Sequence, residues 1–185
     1  TKFKQDKINF LFRESFLNLR DILSASIYLN YLPKTIIKPT TYKGIDFSKI
    51  ISTSLNNETF SLLSAEGVLN YQFVKRMREQ GVEINQVIDW WENTPMDKGL
   101  NLAIAKYFDQ ALIKGYLGFT PNINAYELSP SCFEQESNVT PLQIGVIGKG
   151  YDYIPKRIDP NQRVFVAPAL RFHHLWKINN RASKN

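Results

Sequence analysis

Glu92 stands directly after Trp90 and Trp91 and just before Thr94-Pro95-Met96-Asp97. A carboxylate in that setting can act as a general base, taking the proton from an attacking hydroxyl. A helix N-terminus nearby favours its ionised form, while an indole wall raises its proton affinity. The structural alternative is a carboxylate that accepts bonds from the first amides of that helix. Further polar groups recur downstream: Asn93, then Thr120 and Asn122, then Lys149 with Gly150 and Tyr151, then Arg171 with His173 and His174. Arg171 suits a carboxylate or phosphate of a ligand, and equally a surface salt bridge. His173 and His174 are adjacent, so on a regular element at most one faces a site.

Other chemistries find little support. Cys132 is the single cysteine, which precludes an intrachain disulfide and fits a reducing compartment. A catalytic thiol needs a base, and the chain has only two histidines. No Cys/His spacing suits zinc, and no Asp-x-Asp appears, so no metal site or cofactor is expected. Gly145-Val146-Ile147-Gly148-Lys149-Gly150 reverses the dinucleotide fingerprint and lacks the Lys-Ser/Thr ending of a phosphate loop. Glycines for a tight strand exit are the simpler reading.

The elements that must hold these groups follow from periodicity. Glu83 to Trp91 is short, β-branched and aromatic, bounded by Gly81 and Pro95, and reads as a strand. Thr94 suits an N-cap, Pro95 the first helical position and Asp97 the return bond of a capping box. The helix it starts is expected to bury Leu100, Ala103, Ile104 and Tyr107. Residues 111–119 read as the next strand, completing a βαβ unit of parallel strands. Leu142 to Gly148 and Arg163 to Pro168 read as two further strands, apolar enough to be covered on both faces. The expected fold is α/β, a Rossmann-like parallel sheet flanked by helices, with a helical N-terminal extension. In such sheets ligands lie at the carboxyl ends of the strands. That rule selects Glu92, Asn93, Thr120, Asn122, Lys149, Arg171 and His173.

Upstream, Phe12, Phe16, Leu19, Leu23 and Ile27 form one apolar helical stripe that Pro33 ends. Thr35-Ile36-Ile37 and Lys49-Ile50-Ile51 suit short strands or loop anchors. A helix from about Thr59 to Gln80 shows a stripe of Leu62, Ala65, Leu69, Phe73 and Met77, and Gly81 suits its C-cap. The expected organisation is an extension over 1–57 packed on the same domain, a Rossmann-like domain over 58–176, and a frayed tail over 177–185.

The chain has 185 residues and a formal charge of +6, enough for one domain with a core and short for two. Nine glycines, nine prolines and one cysteine exclude collagen-like, low-complexity and disulfide-scaffold classes. No apolar run approaches the ~20 residues of a membrane span. The N-terminus does not read as a signal peptide, and without an initiating Met the chain is expected to be a piece of something longer. Between Gln86 and Glu136, seven acids face three bases, a charge of −4 that leaves +10 on the flanks. A basic envelope can meet anionic lipid, nucleic acid or phosphorylated substrates. No basic stripe interleaved with aromatics supports binding of nucleic acid.

One succession of residues goes further. It runs Trp90-Trp91-Glu92-Asn93, Asp97-Lys98-Gly99, Gly115-Tyr116-Leu117-Gly118-Phe119, Ser129-Pro130-Ser131 and Glu134. Pro141, Ile147-Gly148-Lys149-Gly150 and Val166-Ala167-Pro168-Ala169-Leu170-Arg171 follow. Over about residues 60–176 this resembles bacterial surface-carbohydrate biosynthesis proteins of O-antigen and capsule assembly, similar in plan to GT-B glycosyltransferases that use CMP-activated sugars. The resemblance implies two Rossmann-like domains facing a cleft, with this chain as the acceptor-side half, inactive alone. It implies a CMP-sugar donor held mainly on a missing domain, a glycan or lipid-linked glycan acceptor, no metal, and a cytoplasmic location at the inner face of the membrane. Glu92 would serve as the base toward an acceptor hydroxyl, with Arg171, His173 and His174 near the crossing between domains. The alternatives are a non-catalytic α/β binding domain, which shares the fold, and a nucleic-acid-processing domain suggested by the basic flanks.

Overall fold

The computed structural model describes residues 10–31, 39–58 and 61–175. The chain divides into two compact units, Thr1–Val82 and Glu83–Asn185. The division lies at 82/83 and not at the expected 57/58, because the helix expected to open the sheet domain packs instead on the chain's first α-helix, Leu19–Tyr31. The expected segments Thr35-Ile36-Ile37 and 177–185 lie outside the described residues.

The first unit holds α1 (Leu19–Tyr31), a hairpin of β1 (Thr41–Tyr42) and β2 (Ile45–Asp46), α2 (Ser48–Glu58) and α3 (Leu62–Glu79). Lys43 and Gly44 both have positive φ, 49° and 79°, which suits a two-residue hairpin turn. Lys49-Ile50-Ile51 lies in the first turns of α2, so these residues are helical and not a strand. At the end of α3, the Val82 amide donates to the Met77 carbonyl and the Gly81 amide to that of Arg78, with Gly81 at φ 78°. That is a Schellman cap, as Gly81 suggests.

α1 packs on α3, but not through the expected stripe. Leu19, Leu23 and Ile27 are exposed, and Asp21, Ala25 and Leu29 are buried. The reason is Asp21. Its carboxylate accepts Arg76 Nε at 3.1 Å and Nη2 at 2.9 Å, and also the Asn18 amide at 2.9 Å. A charge pair of this kind must face the partner helix, and it turns the flanking leucines outward. Phe16 meets Phe73 edge-on at 5.4 Å beside it. The Arg76 bonds, more than the opposing burial, hold the Asp21 carboxyl below its usual range. The stabilisation is therefore present above the unfolded carboxylate pKa and is lost as pH falls through the lower folded value. Asp21→Asn is expected to cost about 2 kcal/mol at pH 7, since Arg76 then faces a neutral partner. Urea unfolding followed by helical circular dichroism checks it; a cost under ~0.5 kcal/mol would refute the role assigned to this pair.

The second unit is α/β: a four-stranded parallel sheet, β3 (Gln86–Trp90), β4 (Leu112–Leu117), β5 (Gln143–Val146) and β6 (Val164–Val166), in that order. α4 (Pro95–Tyr107) joins β3 to β4, and the short α5 (Cys132–Glu136) lies between β4 and β5. The capping box at Thr94 and Asp97 forms as read from sequence. α4 buries Ala103 and Ile104 as expected, but its other buried positions are Asp97 and Asn101, with Leu100 and Tyr107 only half-buried.

Strand order has a consequence for the faces. Right-handed crossovers between strands laid down in one direction all fall on the same side. Here Asn101 of α4 bonds Asp89 at 3.0 Å, and Leu128 and Ile154 from the later connections pack with Trp91, Leu117, Ile144 and Val146. All three connections thus cover the face of Asp89, Ile113, Leu117 and Val146. The opposite face carries Ile88, Trp90, Lys114, Tyr116 and Phe165, paired across the strands by register. Ile88 is 67% exposed there. The expectation of cover on both faces, made for β5 and β6, holds for β5, where Ile144, Gly145 and Val146 are all buried, and is corrected for β6, where Phe165 and Val166 are exposed. The order also contains no reversal, so the crevice that a reversal opens is not built by this sheet.

Candidate functional site

The carboxyl ends of β3 and β4 carry an aromatic group. Trp90 and Tyr116 are register partners, and their rings meet edge-to-face at 5.6 Å. Trp90 also stacks on Phe119 at 6.4 Å with the planes 28° apart. Gly118 makes room: a Cβ there would lie 2.5 Å from the Tyr116 ring and 2.6 Å from the Trp90 ring. Trp90 remains 45% exposed, so its indole is held at the surface by two aromatic partners, Tyr116 and Phe119, and a glycine floor.

Glu92 belongs to this group. The Trp90 indole N–H donates to its Oε1 at 2.9 Å. Its side chain is not taken up by the helix N-terminus. That task falls to Asp97, whose Oδ2 accepts the Glu92 amide at 3.0 Å and the Thr94 amide at 2.8 Å. Glu92 is therefore an exposed carboxylate oriented by an indole, with lone pairs left for a ligand.

Tyr116 extends the group toward the fourth strand. Its hydroxyl donates to the Pro168 carbonyl at 2.8 Å and accepts the Leu170 amide at 3.1 Å. Gly145, between Tyr116 and Phe165 in the register, is bare enough for the Phe165 ring to sit over it. This hydroxyl anchors the 3₁₀ turn Leu170–Phe172 that carries Arg171. His173 Nδ1 lies 3.2 Å from the Leu170 carbonyl, and its ring meets His174 edge-on at 6.4 Å. So a chain of contacts runs from Glu92 through Trp90 and Tyr116 to the segment bearing Arg171 and His173.

The remaining expected residues stand apart from it. Asn93 has φ 58°, and its amide N–H groups are spent on the Glu127 carbonyl at 2.8 Å and Glu134 at 3.4 Å. It ties two loops together and has no donor left for a substrate. Glu134 also receives Lys98 at 2.6 Å, and the Lys98 and Ser131 bonds hold its carboxyl low against the larger opposing effect of burial. Asn122 accepts the Asn124 amide at 2.9 Å, closing a turn. Thr120 and Lys149 are exposed at the same sheet edge, and no hydrogen bond or ring contact joins them to Glu92. Among the described residues, no three His, Cys, Asp or Glu side chains gather as a metal site.

Beneath the group lies Asp89, buried on the covered face. Burial, and then the nearby charge of Asp97, push its carboxyl up to about 7, against a bond from Asn101. Sequence reasoning did not single out Asp89, Tyr116 or Phe119. The usable signal was the alternation of β3, which puts Asp89 and Trp91 on one side and Trp90 on the other. Comparison with protein-family models, with curated proteins and with solved structures found no match for this chain.

Proposed function

We propose that the second unit binds a glycan acceptor on the Trp90–Tyr116–Phe119 platform, with Glu92 as the base in glycosyl transfer for bacterial surface polysaccharide. The observation that carries this reading is the exposed indole of Trp90 joined to the Glu92 carboxylate by a 2.9 Å bond. Pyranose rings present a patch of C–H groups that lies well on the negative face of an indole. Their hydroxyls donate to carboxylates. In transfer, Glu92 takes the proton of the acceptor hydroxyl as that oxygen attacks the anomeric carbon and the nucleotide phosphate departs. The resemblance over residues 60–176 adds the donor class, a CMP-activated sugar, and the assembly of O-antigen or capsule. Arg171, on the segment tied to Tyr116, offers a guanidinium to an anionic acceptor or donor group. No helix among the described residues is long and apolar enough to cross a membrane. A lipid-linked acceptor would bring the basic flanks against the cytoplasmic leaflet.

The test separates binding from transfer. Acidic capsular oligosaccharides are titrated into the 185-residue chain by calorimetry, and transfer from CMP-sugars is assayed with the longest natural form of the protein. Trp90→Ala is expected to weaken binding about tenfold, the loss of one stacking face. Glu92→Gln is expected to leave binding within about threefold and to slow transfer about 100-fold or more. Unchanged binding by Trp90→Ala would overturn the platform. Binding without any transfer would favour the binding-domain alternative.

A further inference from the structure

A second group of side chains lies in the connections after β4 and β5, away from the aromatic platform. The guanidinium carbon of Arg157 sits 4.5 Å from the Tyr126 ring centroid and 5.5 Å from that of Tyr153. Both rings are largely open, Tyr126 at 60% and Tyr153 at 44% exposure. The guanidinium itself makes no hydrogen bond or ion pair with any described residue, and its Nη1 is buried without a partner. Of this permanent cation's donors, those on Nη1 are thus shielded without an acceptor, while Nε and Nη2 keep access to solvent. A shielded donor left unpaired is costly, and cation–π contact fixes the charge without using those donors.

The surroundings explain why no acid of the protein fills the gap. Asp159, the buried carboxylate of this loop, is already taken by Gln135 at 2.9 Å and by the Asn161 amide at 2.9 Å. Lys149 and Lys156 add positive charge along the same connection, against Asp152 and Asp159. The two connections are also firmly joined. Ser129 Oγ donates to the Ile154 carbonyl at 2.7 Å, Gln135 bonds Gln162 at 3.0 Å, and Pro130, Ile154 and Pro155 are fully buried. A guanidinium on so rigid a support has little left to lose in ordering, which is what bidentate recognition of an oxyanion requires.

We propose that Arg157, clamped between Tyr126 and Tyr153, is a binding site for a phosphate group of a ligand. The Nε and Nη2 edge of the guanidinium grips two phosphate oxygens, and Lys156 supplies charge from the preceding residue. The chemistry is shared by a nucleotide and by an isoprenyl diphosphate, and the site does not depend on glycan binding at Trp90.

The experiment is calorimetry on the 185-residue chain with three probes: inorganic pyrophosphate, CMP and farnesyl diphosphate. Wild-type protein is expected to bind pyrophosphate. Arg157→Gln should weaken it about tenfold or more, the loss of a charge-assisted bidentate contact. Arg163→Gln, which removes an equal charge from an exposed residue outside the clamp, should change it less than about twofold. Arg157→Lys keeps the charge and loses the fork, and should fall between the two, so the result does not rest on one variant folding. CMP binding more tightly than pyrophosphate assigns the phosphate to a nucleotide; farnesyl diphosphate binding more tightly assigns it to a lipid carrier. Equal loss in Arg157→Gln and Arg163→Gln, or no binding of any probe by wild type, would overturn the site. Because the Trp90→Ala titration is read with a glycan and the Arg157→Gln titration with pyrophosphate, the two readings fail separately.

Discussion

Trp91→Ala is expected to lower the unfolding free energy of the second unit by about 3–5 kcal/mol, the largest effect of any single side chain here. Trp91 is 0% exposed and sits at the centre of the cluster of Leu117, Leu128, Ile144, Val146 and Ile154. The wall around it cannot close the gap. Gly115 faces it with no side chain, and a Cβ at that glycine would lie 3.0 Å from Trp91 Cβ and 2.7 Å from Pro141. The space therefore belongs to the indole alone. Trp91→Phe should cost less than half as much, because it keeps a ring and removes an indole N–H that is buried without a partner. Urea unfolding followed by circular dichroism measures both. A cost under ~1 kcal/mol for the alanine variant would mean that the cluster repacks and is not the core described.

A second large effect is one of pH. Asp89, with its carboxyl pushed up to about 7 mainly by burial and then by Asp97, keeps its proton in the native state where the unfolded chain releases it near 3.8. Between those values the native state binds more protons, so stability falls as pH rises. At 1.4 kcal/mol per tenfold change in proton affinity, the full loss above pH 7 is on the order of 4 kcal/mol. Asp89→Asn removes the ionisation and keeps an acceptor for Asn101. The variant should match wild type near pH 4 and exceed it increasingly up to pH 8. The difference between the two proteins is the quantity to read, because Asp21 and Glu134, with carboxyls held low, tilt both curves the opposite way. A difference that stays flat from pH 4 to 8 would show that Asp89 is ionised throughout.

Much of the second unit was legible because local signals agreed with the fold. Thr94, Pro95 and Asp97 specify a helix start by hydrogen bonding within one turn, and the strands on either side are bounded by Gly81 and Pro95 or rich in β-branched residues. What was not legible depends on pairing between distant residues. Asp21 meets Arg76 across 55 residues, and only that contact decides which of two apolar stripes on α1 turns inward. The apolar runs of β5 and β6 looked two-sided, yet strand order put every connection on one side and left β6 exposed. Strand order cannot be read from composition. Glu92 stood out by its neighbours, but its link to Arg171 and His173 passes through Tyr116, and only the register brings Tyr116 beside Trp90. Arg157 lies in a polar stretch between Pro155 and Pro160 that has no period, and its two tyrosines come from different connections.

The pleat of β3 makes neighbours in sequence strangers in environment. Trp90 and Trp91 are one residue apart, yet one indole is 45% exposed and the other fully dry. As fluorophores they are two instruments on one chain. Trp91 emits from an apolar interior and should shift to longer wavelengths only when the unit unfolds. Trp90 emits from water beside a carboxylate and should respond to whatever lies against its face while the fold is intact. With the third tryptophan, Trp176, replaced by phenylalanine, a single emission spectrum would read occupancy at its red edge and folding at its blue edge, without a label.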